Sequence, residues 1–277
     1  MCRLALLNRE AVIFLGSALE YVFGHLENTL GGDGNGVAGL WAERGTTKIR
    51  KGVKFTTVQA SACVREYARQ GADWVLFHTR RATSSTVENR HCHPFRSGRL
   101  VLAHNGHDTH FAKLGRAIGI SDSECIARTW SRLRFPRAQL ATRSGVFIGF
   151  ARNYPFVVKG QGYSDLIVAW EESSGALLFA SELPFWIADG AFDRVIPLGT
   201  MQWFGDELDQ ESLEAHRRRI APPSSFSSHW GAYTWADDDD DLTADEAAYL
   251  EELAYQQELE EEGEQENMND TSSSFWR

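Results

Sequence analysis

Short apolar segments, each about as long as one strand, recur along this chain and are separated by turn residues. Four of them follow one another closely, joined by Gly, Asn-Tyr-Pro or Ser-Ser-Gly turns: Gly145–Ala151, Tyr154–Val158, Asp165–Glu171 and Ala176–Ser181. Turns this short connect neighbouring antiparallel strands, whereas parallel strands need a long crossover. The pattern therefore favours antiparallel sheets over a parallel βαβ fold.

Earlier in the chain, expected strands alternate with expected helices. Leu19, Val22, Phe23 and Leu26 recur at helical spacing, and Ser17-Ala18-Leu19-Glu20 has the spacing of a capping box. Three helices are predicted: Ser17–Thr29, Val58–Gln70 and one that Ser121-Asp122-Ser123-Glu124 opens. Further strands are expected at Cys2–Leu7, Val37–Glu43, Thr46–Phe55, Asp73–Arg80 and Arg99–His104, with a last pair within Val195–Phe204 and a polar loop over Ala82–Ser97. Such blocks predict an α+β layered domain.

The composition is that of an ordinary soluble globular protein. Of the 277 residues, 43% are hydrophobic and 24% are charged. No apolar run is long enough to span a bilayer. The four cysteines (Cys2, Cys63, Cys92 and Cys125) form no C-x-x-C pair. We therefore expect reduced thiols and a cytoplasmic protein.

Negative charge is concentrated at the C-terminus. The net charge is −10, yet sixteen acidic residues and one basic residue follow Ala236, so residues 1–236 are mildly basic. We expect a domain over residues 2–220, a Pro/Ser-rich linker over 221–236 and an acidic, partly helical or disordered tail over 237–277. The tail either stays solvated or docks on a basic surface, such as Arg217-Arg218-Arg219 or a partner. Its acidity argues against nucleic-acid binding by the tail.

Two familiar motifs are set aside. Gly34-Asn35-Gly36-Val37-Ala38-Gly39 matches the dinucleotide fingerprint G-x-G-x-x-G, but a helix precedes it and a strand follows, which is the wrong order. Imidazole and thiolate ligands that could hold zinc also cluster in this chain: His91, Cys92, His93, His104, His107 and His110. His107 and His110 would share a face only in a helix, and Asn105-Gly106 indicates a turn there. We expect neither a metal nor a cofactor.

The chain begins Met1-Cys2-Arg3-Leu4, which places a thiol next to the initiator methionine. The cysteine side chain is small, so we expect an aminopeptidase to remove Met1 and leave a free α-amine on Cys2. An α-amine titrates at roughly 7.7–8.0, so it can serve as the general base for the thiol. This is the N-terminal form of an activated nucleophile. A Met-Cys start alone is common and decides nothing.

Two strand ends carry groups suited to binding a carboxylate and an oxyanion. Arg80 follows Phe77-His78-Thr79, and an arginine at such a position either clamps a carboxylate or lies on the surface. Asn105 and Gly106 end the segment Leu102-Ala103-His104. An asparagine amide and the next glycine N–H can face one oxyanion, although Asn-Gly is also the commonest hairpin signal.

Taken together, these stretches resemble a known family. In the order in which they follow one another along the chain, the stretches are Cys2, His78-Thr79-Arg80-x-Ala82-Thr83, His93-Pro94, His104-Asn105-Gly106, Ser121–Glu124 and Phe179-Ala180-Ser181-Glu182. In this they resemble the glutaminase domain of class II glutamine amidotransferases, the N-terminal-nucleophile type. The resemblance covers about residues 2–205. It implies a four-layer αββα sandwich of two antiparallel sheets. Ser84-Ser85 and Arg81 depart from the usual pattern of the substrate loop.

The resemblance also implies a role for each matching residue. Cys2 would attack the glutamine side-chain amide, and Asn105 and Gly106 would stabilise the oxyanion. The residues expected to bind substrate are Arg80 for the α-carboxylate, Asp122 for the α-ammonium, Thr83 and His104. Hydrolysis of a Cys2 thioester would complete the reaction and release ammonia.

We expect a glutaminase that supplies ammonia to a separate synthetase or acceptor protein, because no acceptor domain is recognisable in the sequence. Two alternatives stay open. One is an amidohydrolase of the same fold that acts on another γ-glutamyl amide or peptide. The other is a catalytically silent interaction module that works through its acidic tail.

Overall fold

The computed structural model describes residues 2–82, 86–133, 143–162, 164–199 and 201–204. These residues form twelve strands, six α-helices and one short 3-10 helix at Asn89–His91. The strands are β1 (Arg3–Asn8), β2 (Asn35–Trp41), β3 (Thr46–Gly52), β4 (Trp74–Thr79), β5 (Phe95–Ser97), β6 (Leu100–Asn105), β7 (Val146–Ala151), β8 (Tyr154–Lys159), β9 (Ile167–Glu171), β10 (Ala176–Ala180), β11 (Arg194–Pro197) and β12 (Met201–Phe204). The helices are α1 (Arg9–Leu15), α2 (Ala18–Leu30), α3 (Thr57–Arg69), α4 (Thr109–Ala117), α5 (Asp122–Leu133) and α6 (Phe185–Gly190).

The strands form two sheets, in which the paired strands run antiparallel. A seven-stranded sheet has the order β11-β9-β10-β1-β4-β2-β3, and a five-stranded sheet has the order β12-β8-β7-β6-β5. Strand β1 lies at the centre of the larger sheet, between β10 and β4. Cys2 directly precedes β1 and is therefore attached to a strand that is paired on both sides.

Three apolar clusters separate four layers. Alternate residues of β1 show the arrangement: Ala5 and Leu7 pack under helices α1, α2 and α3, whereas Leu4 and Leu6 pack between the two sheets. The third cluster joins the outer face of the smaller sheet to α4 and α5. The predicted α+β class with antiparallel sheets is thus confirmed, and the layers stack as αββα.

Most predicted elements are present, but several were missed or misplaced. The polar loop over Ala82–Ser97 contains the 3-10 helix and β5, and α6 was not expected. The last pair of strands, β11 and β12, belongs to different sheets, so the two do not pair with each other. Ser17 makes no side-chain cap bond, and its own backbone is helical, so the expected capping box does not form. The linker and the acidic tail lie outside the described residues.

Two missed helices begin at side chains that cap them. Asn8 Oδ1 accepts from Ala11 N at 2.9 Å at the start of α1, and Asp108 Oδ1 accepts from Phe111 N at 3.0 Å at the start of α4. Such caps satisfy N–H groups that have no partner within the helix. Among the described residues, no helix is both long and apolar enough to cross a membrane.

Gly36 belongs to the rejected dinucleotide pattern, and its place in β2 explains why a glycine is needed there. A Cβ at this position would lie 1.8 Å from the backbone oxygen of His93. The segment that carries His93 therefore presses directly on the strand. The glycine permits close packing of two backbones and takes no part in binding a nucleotide.

This packing predicts opposite effects for two glycine substitutions. Gly36→Ala should lower the free energy of unfolding by roughly 2 kcal/mol or more, because backbone atoms must shift to admit the methyl group. Gly24→Ala, in α2 with open space around its Cα, should raise it by about 0.5–1 kcal/mol. Urea denaturation of both variants checks this, and equal effects at the two positions would contradict it.

Candidate active site

Cys2 lies buried between the two sheets and is held at both its backbone and its thiol. Its backbone N–H donates to Asn105 Oδ1 at 3.1 Å, which joins the start of β1 to the end of β6. The Arg81 N–H donates to Cys2 Sγ at 3.3 Å, and the thiol faces the Arg81 carbonyl at 3.7 Å. The structure thus brings together Cys2 and Asn105, which are 103 residues apart.

The electrostatic surroundings of the thiol include two of the predicted substrate-binding residues. Burial raises the pKa of the Cys2 thiol, which the Arg81 N–H and the charge of Arg80 lower and the carboxylate of Asp122 raises. The net shift is upward, so the thiol is protonated at neutral pH and needs a base to react. Arg80 and Asp122 both lie close enough to Cys2 for their charges to act on its thiol.

Besides the bond that its Oδ1 accepts from Cys2, two further hydrogen bonds hold Asn105 in place. Its Nδ2 donates to Ser181 Oγ at 3.4 Å, and its backbone oxygen accepts from Ser164 Oγ at 2.9 Å. Ser181 Oγ also accepts from Leu4 N at 3.1 Å, so the same hydroxyl contacts both β1 and Asn105. A bond of 3.4 Å is long for an N–H donor, so Nδ2 can give up this bond and donate to a stronger acceptor instead.

Gly106 lies where no side chain fits. A Cβ there would lie 2.6 Å from His104 Nε2 and 2.8 Å from Gly145 Cα. Asn105 is the last residue of β6 and pairs with Val146 of β7. The Asn-Gly sequence therefore ends a strand where two backbones approach closely, which leaves the expected oxyanion role of Asn105 and Gly106 sterically possible.

His104, which was expected to contact substrate, has a ring that is held by the protein itself. The imidazole is buried and stacked on Phe147, with ring centroids 4.4 Å apart. Its Nδ1 lies 3.1 Å from Ser123 Oγ and its Nε2 lies 3.1 Å from the Ser144 oxygen. With both ring nitrogens engaged by the protein, His104 fixes the end of β6 and the start of α5.

Two further buried histidines support the same strand. His78 Nε2 lies 3.2 Å from the backbone oxygen of His104, and the His78 ring packs 4.0 Å from that of His93. Burial lowers the pKa of His78 to about 3, and burial also lowers the pKa of His93 well below its usual range. Both rings are therefore neutral and act as packing elements behind Asn105.

Arg80 follows β4 and is buried, with 4% of its surface exposed. Its Nη1 donates to the Thr86 oxygen at 3.0 Å, and its backbone N–H donates to the Gly34 oxygen at 2.8 Å. Asp33 Oδ2 accepts from Ala82 N at 2.8 Å, which fixes the next residues. The alternative that Arg80 lies on the surface is thus excluded. Thr83, the other residue expected on this loop, lies outside the described residues.

Asp122 begins α5 and forms a buried polar cluster with the turn after β6. Its Oδ2 lies 3.6 Å from His107 Nδ1 and accepts from Asp108 N at 3.2 Å. Burial raises the pKa of Asp122, but the bonds from His107 and from backbone N–H groups outweigh it and bring that pKa to about 2. Asp122 is therefore ionised at neutral pH. The hydrogen bond with Asp122 in turn raises the pKa of His107.

Several residues that build this site carry no signal in the sequence that assigns them a role. Ser164 and Asp108 lie in loops and carry no motif, so only the fold reveals their contacts. Glu182 belongs to a motif that was noted, and it pairs with Arg3 Nε at 3.1 Å, next to Cys2. Within the described parts of the chain, no group of three or more His, Cys, Asp or Glu side chains is arranged to hold a metal ion.

Comparison with known proteins gives a likeness of fold at low identity. No family model and no curated protein matches the chain. Among its structural neighbours are class II glutamine amidotransferases. The glutamine phosphoribosylpyrophosphate amidotransferase from B. subtilis, solved with ADP and GMP, is 18% identical over 71% of this chain and 45% of that chain, with a TM-score of 0.45.

Two further neighbours are as distant. A structure described as the allosteric regulatory enzyme of purine biosynthesis is 18% identical over 71% of this chain and 45% of that chain, with a TM-score of 0.49. A glutamine aminotransferase class-II domain protein from Silicibacter pomeroyi is 14% identical over 75% of this chain and the whole of that chain, with a TM-score of 0.38. The chain thus spans about half the length of the first two.

The Asp122 cluster predicts a pH-dependent contribution to stability. Because the pKa of Asp122 lies below its ordinary 3.8, the ionised group stabilises the fold above pH 3.8 by about 2 kcal/mol, and this is lost as pH falls toward 2. Asp122→Asn should therefore differ from the original chain by about that amount at pH 6 and progressively less below pH 4. His107 stays protonated over this range.

Denaturation with urea at each pH measures the difference. Asp165→Asn, which removes an exposed carboxylate, serves as the control and should change stability little at any pH. A difference for Asp122→Asn that is the same at pH 6 and pH 2.5 would contradict the assignment.

Proposed function

We propose that this chain is a glutaminase of the N-terminal-nucleophile type, which hydrolyses the side-chain amide of glutamine through a thioester on Cys2. The observation that carries the proposal is the contact between the Cys2 nitrogen and Asn105 Oδ1 at 3.1 Å. It puts a thiol, a potential α-amine and an amide donor group at one point between the sheets. Each is a component that acyl transfer from an amide requires.

The reaction begins with proton removal from the thiol. Burial keeps the Cys2 thiol protonated, and after removal of Met1 its own α-amine is the base attached to the same residue. The Cys2 sulfur attacks the amide carbon, and the amide oxygen gains negative charge. Asn105 Nδ2, which has only a 3.4 Å bond to Ser181 Oγ to give up, and the Gly106 N–H stabilise that charge.

Collapse of this intermediate breaks the carbon–nitrogen bond. The α-ammonium of Cys2 returns the proton to the leaving nitrogen, and ammonia departs. Water then attacks the thioester, with the α-amine again as base, and releases glutamate and the free thiol. Atoms balance as one glutamine and one water giving one glutamate and one ammonia.

Arg80 and Asp122 bind the two charged groups of the amino acid. Both act on the Cys2 thiol electrostatically, one as a cation and the other as an anion, so they can accept the α-carboxylate and the α-ammonium of one substrate. Asp122 is ionised at neutral pH, with a pKa of about 2.

The ammonia is proposed to serve a separate acceptor or synthetase protein. The part of the chain that the structure describes forms one αββα domain, in which the three apolar clusters are accounted for by the two sheets and their helices.

The first test combines mass spectrometry with an ammonia assay on one preparation. The intact mass should show loss of Met1, glutamine should release ammonia, and diazo-oxo-norleucine should form one adduct on Cys2. Cys2→Ala should abolish turnover and the adduct, whereas Cys92→Ala, at another buried thiol, should keep both. Retained Met1, or turnover by Cys2→Ala, would refute the proposal. Turnover of other γ-glutamyl amides but not of glutamine would assign the enzyme to that substrate class instead.

A second test separates the roles of two neighbouring arginines. Arg80→Lys keeps the charge but loses the planar fork that binds a carboxylate with two parallel bonds, so KM for glutamine should rise at least tenfold with a smaller change in kcat. Arg81→Lys, at an exposed side chain, should leave both constants within twofold. Steady-state kinetics measures them, and equal KM values for the two variants would contradict the role of Arg80.

A further inference from the structure

One cavity of the structure is lined mainly by residues that do not belong to the candidate active site. Its volume is about 400 Å³, and it opens between β3, the 3-10 helix, β5 and the start of α5. Four cationic side chains line it: Lys51, Arg90, Arg96 and Arg128. Glu124 also lines the cavity, and it is the acidic residue among the lining residues that the structure describes. The cavity is large enough for a small molecule but not for a folded segment.

Positive charge exceeds negative charge at this cavity. Glu124 pairs with Arg128 at 2.9 Å, and Glu88 pairs with Arg90 at 2.9 Å. Among the described residues, no carboxylate lies within ion-pair distance of Lys51 or Arg96. A concave wall with excess cations concentrates field lines and attracts anions.

The two cations without a carboxylate are held by neutral groups. Lys51 Nζ donates to the Cys92 oxygen at 2.6 Å and lies 4.6 Å from the centroid of the Phe95 ring. Arg96 Nη2 donates to the Thr47 backbone oxygen at 2.7 Å. A guanidinium has five N–H donors and an ammonium has three, so both groups keep donors for a further acceptor. Burial lowers the pKa of Lys51, the charge of Glu124 beyond ion-pair distance raises it in part, and a bound anion would offset the remaining cost.

We propose that this cavity binds a small molecule bearing phosphate groups, such as a phosphate monoester or a diphosphate. A phosphate dianion matches the two cations that lack a carboxylate, and its oxygens suit the forked donors of arginine. Lys51 contacts Cys92, which adjoins His93 behind Asn105, and Glu124 follows Asp122 by two residues on α5. The ligand would thus lie against two elements that hold the candidate active site. The proposal does not depend on the proposed glutaminase activity.

The test measures binding of inorganic pyrophosphate to the full chain by titration calorimetry at low salt. Arg96→Gln should weaken binding at least tenfold, because it removes one charged donor from the cavity. Arg99→Gln provides the matched control, since Arg99 lies three residues away on the same hairpin, is exposed and does not line the cavity. It should bind within twofold of the original chain. Arg128→Gln should weaken binding as well, and thermal melting checks that each variant is folded.

Three outcomes would overturn the proposal. One is absence of pyrophosphate binding by the original chain. Another is equal weakening by Arg96→Gln and Arg99→Gln, which would indicate a general charge effect. The third is binding of a synthetic peptide of residues 237–262 that Arg96→Gln abolishes, with no binding of pyrophosphate. That result would assign the cavity to the acidic tail. None of these measurements uses glutamine turnover, so failure here is distinct from failure of the glutaminase proposal.

Discussion

The candidate site depends on one hydrogen bond that crosses from one sheet to the other. The backbone N–H of Cys2 donates to Asn105 Oδ1 at 3.1 Å, and both residues are buried. Neither group can turn to water without opening the space between the sheets, so leaving either one unpaired would cost roughly 1–3 kcal/mol. The bond therefore fixes the start of the central strand β1 relative to the end of β6, and with it the position of the thiol.

Polar groups around this bond are paired mainly with one another. Ser181 bonds to Leu4 and Asn105, Ser164 bonds to the Asn105 oxygen, and Glu182 pairs with Arg3. Such networks fix a geometry more than they add stability, since their members must first lose water. The cost is offset by three apolar clusters, which contain the large buried side chains of both sheets.

Periodicity and turn chemistry predicted the antiparallel α+β class, because alternation and hairpin turns are local signals. The same local reasoning missed α1 and α4, whose first residues are capped by Asn8 and Asp108 after very short connections from a strand. It also predicted a capping box at Ser17 that does not form. The structure brings two of the predicted site residues, Cys2 and Asn105, into contact, and the charges of Arg80 and Asp122 act on the Cys2 thiol. The substrate contact expected of His104 stays a prediction, and the burial of its ring against Phe147, 43 residues away, is a tertiary property that no local pattern encodes.

The most direct test of this account compares two reactions of Asn105→Ala. The account predicts that glutamine turnover falls roughly 10²–10³-fold, because the oxyanion loses a donor that acts only in the transition state. Alkylation of Cys2 by iodoacetamide, which forms no oxyanion, should fall much less than glutamine turnover in a variant that still melts cooperatively. Unchanged glutamine turnover in Asn105→Ala would contradict the central claim that Cys2 and Asn105 form one catalytic unit.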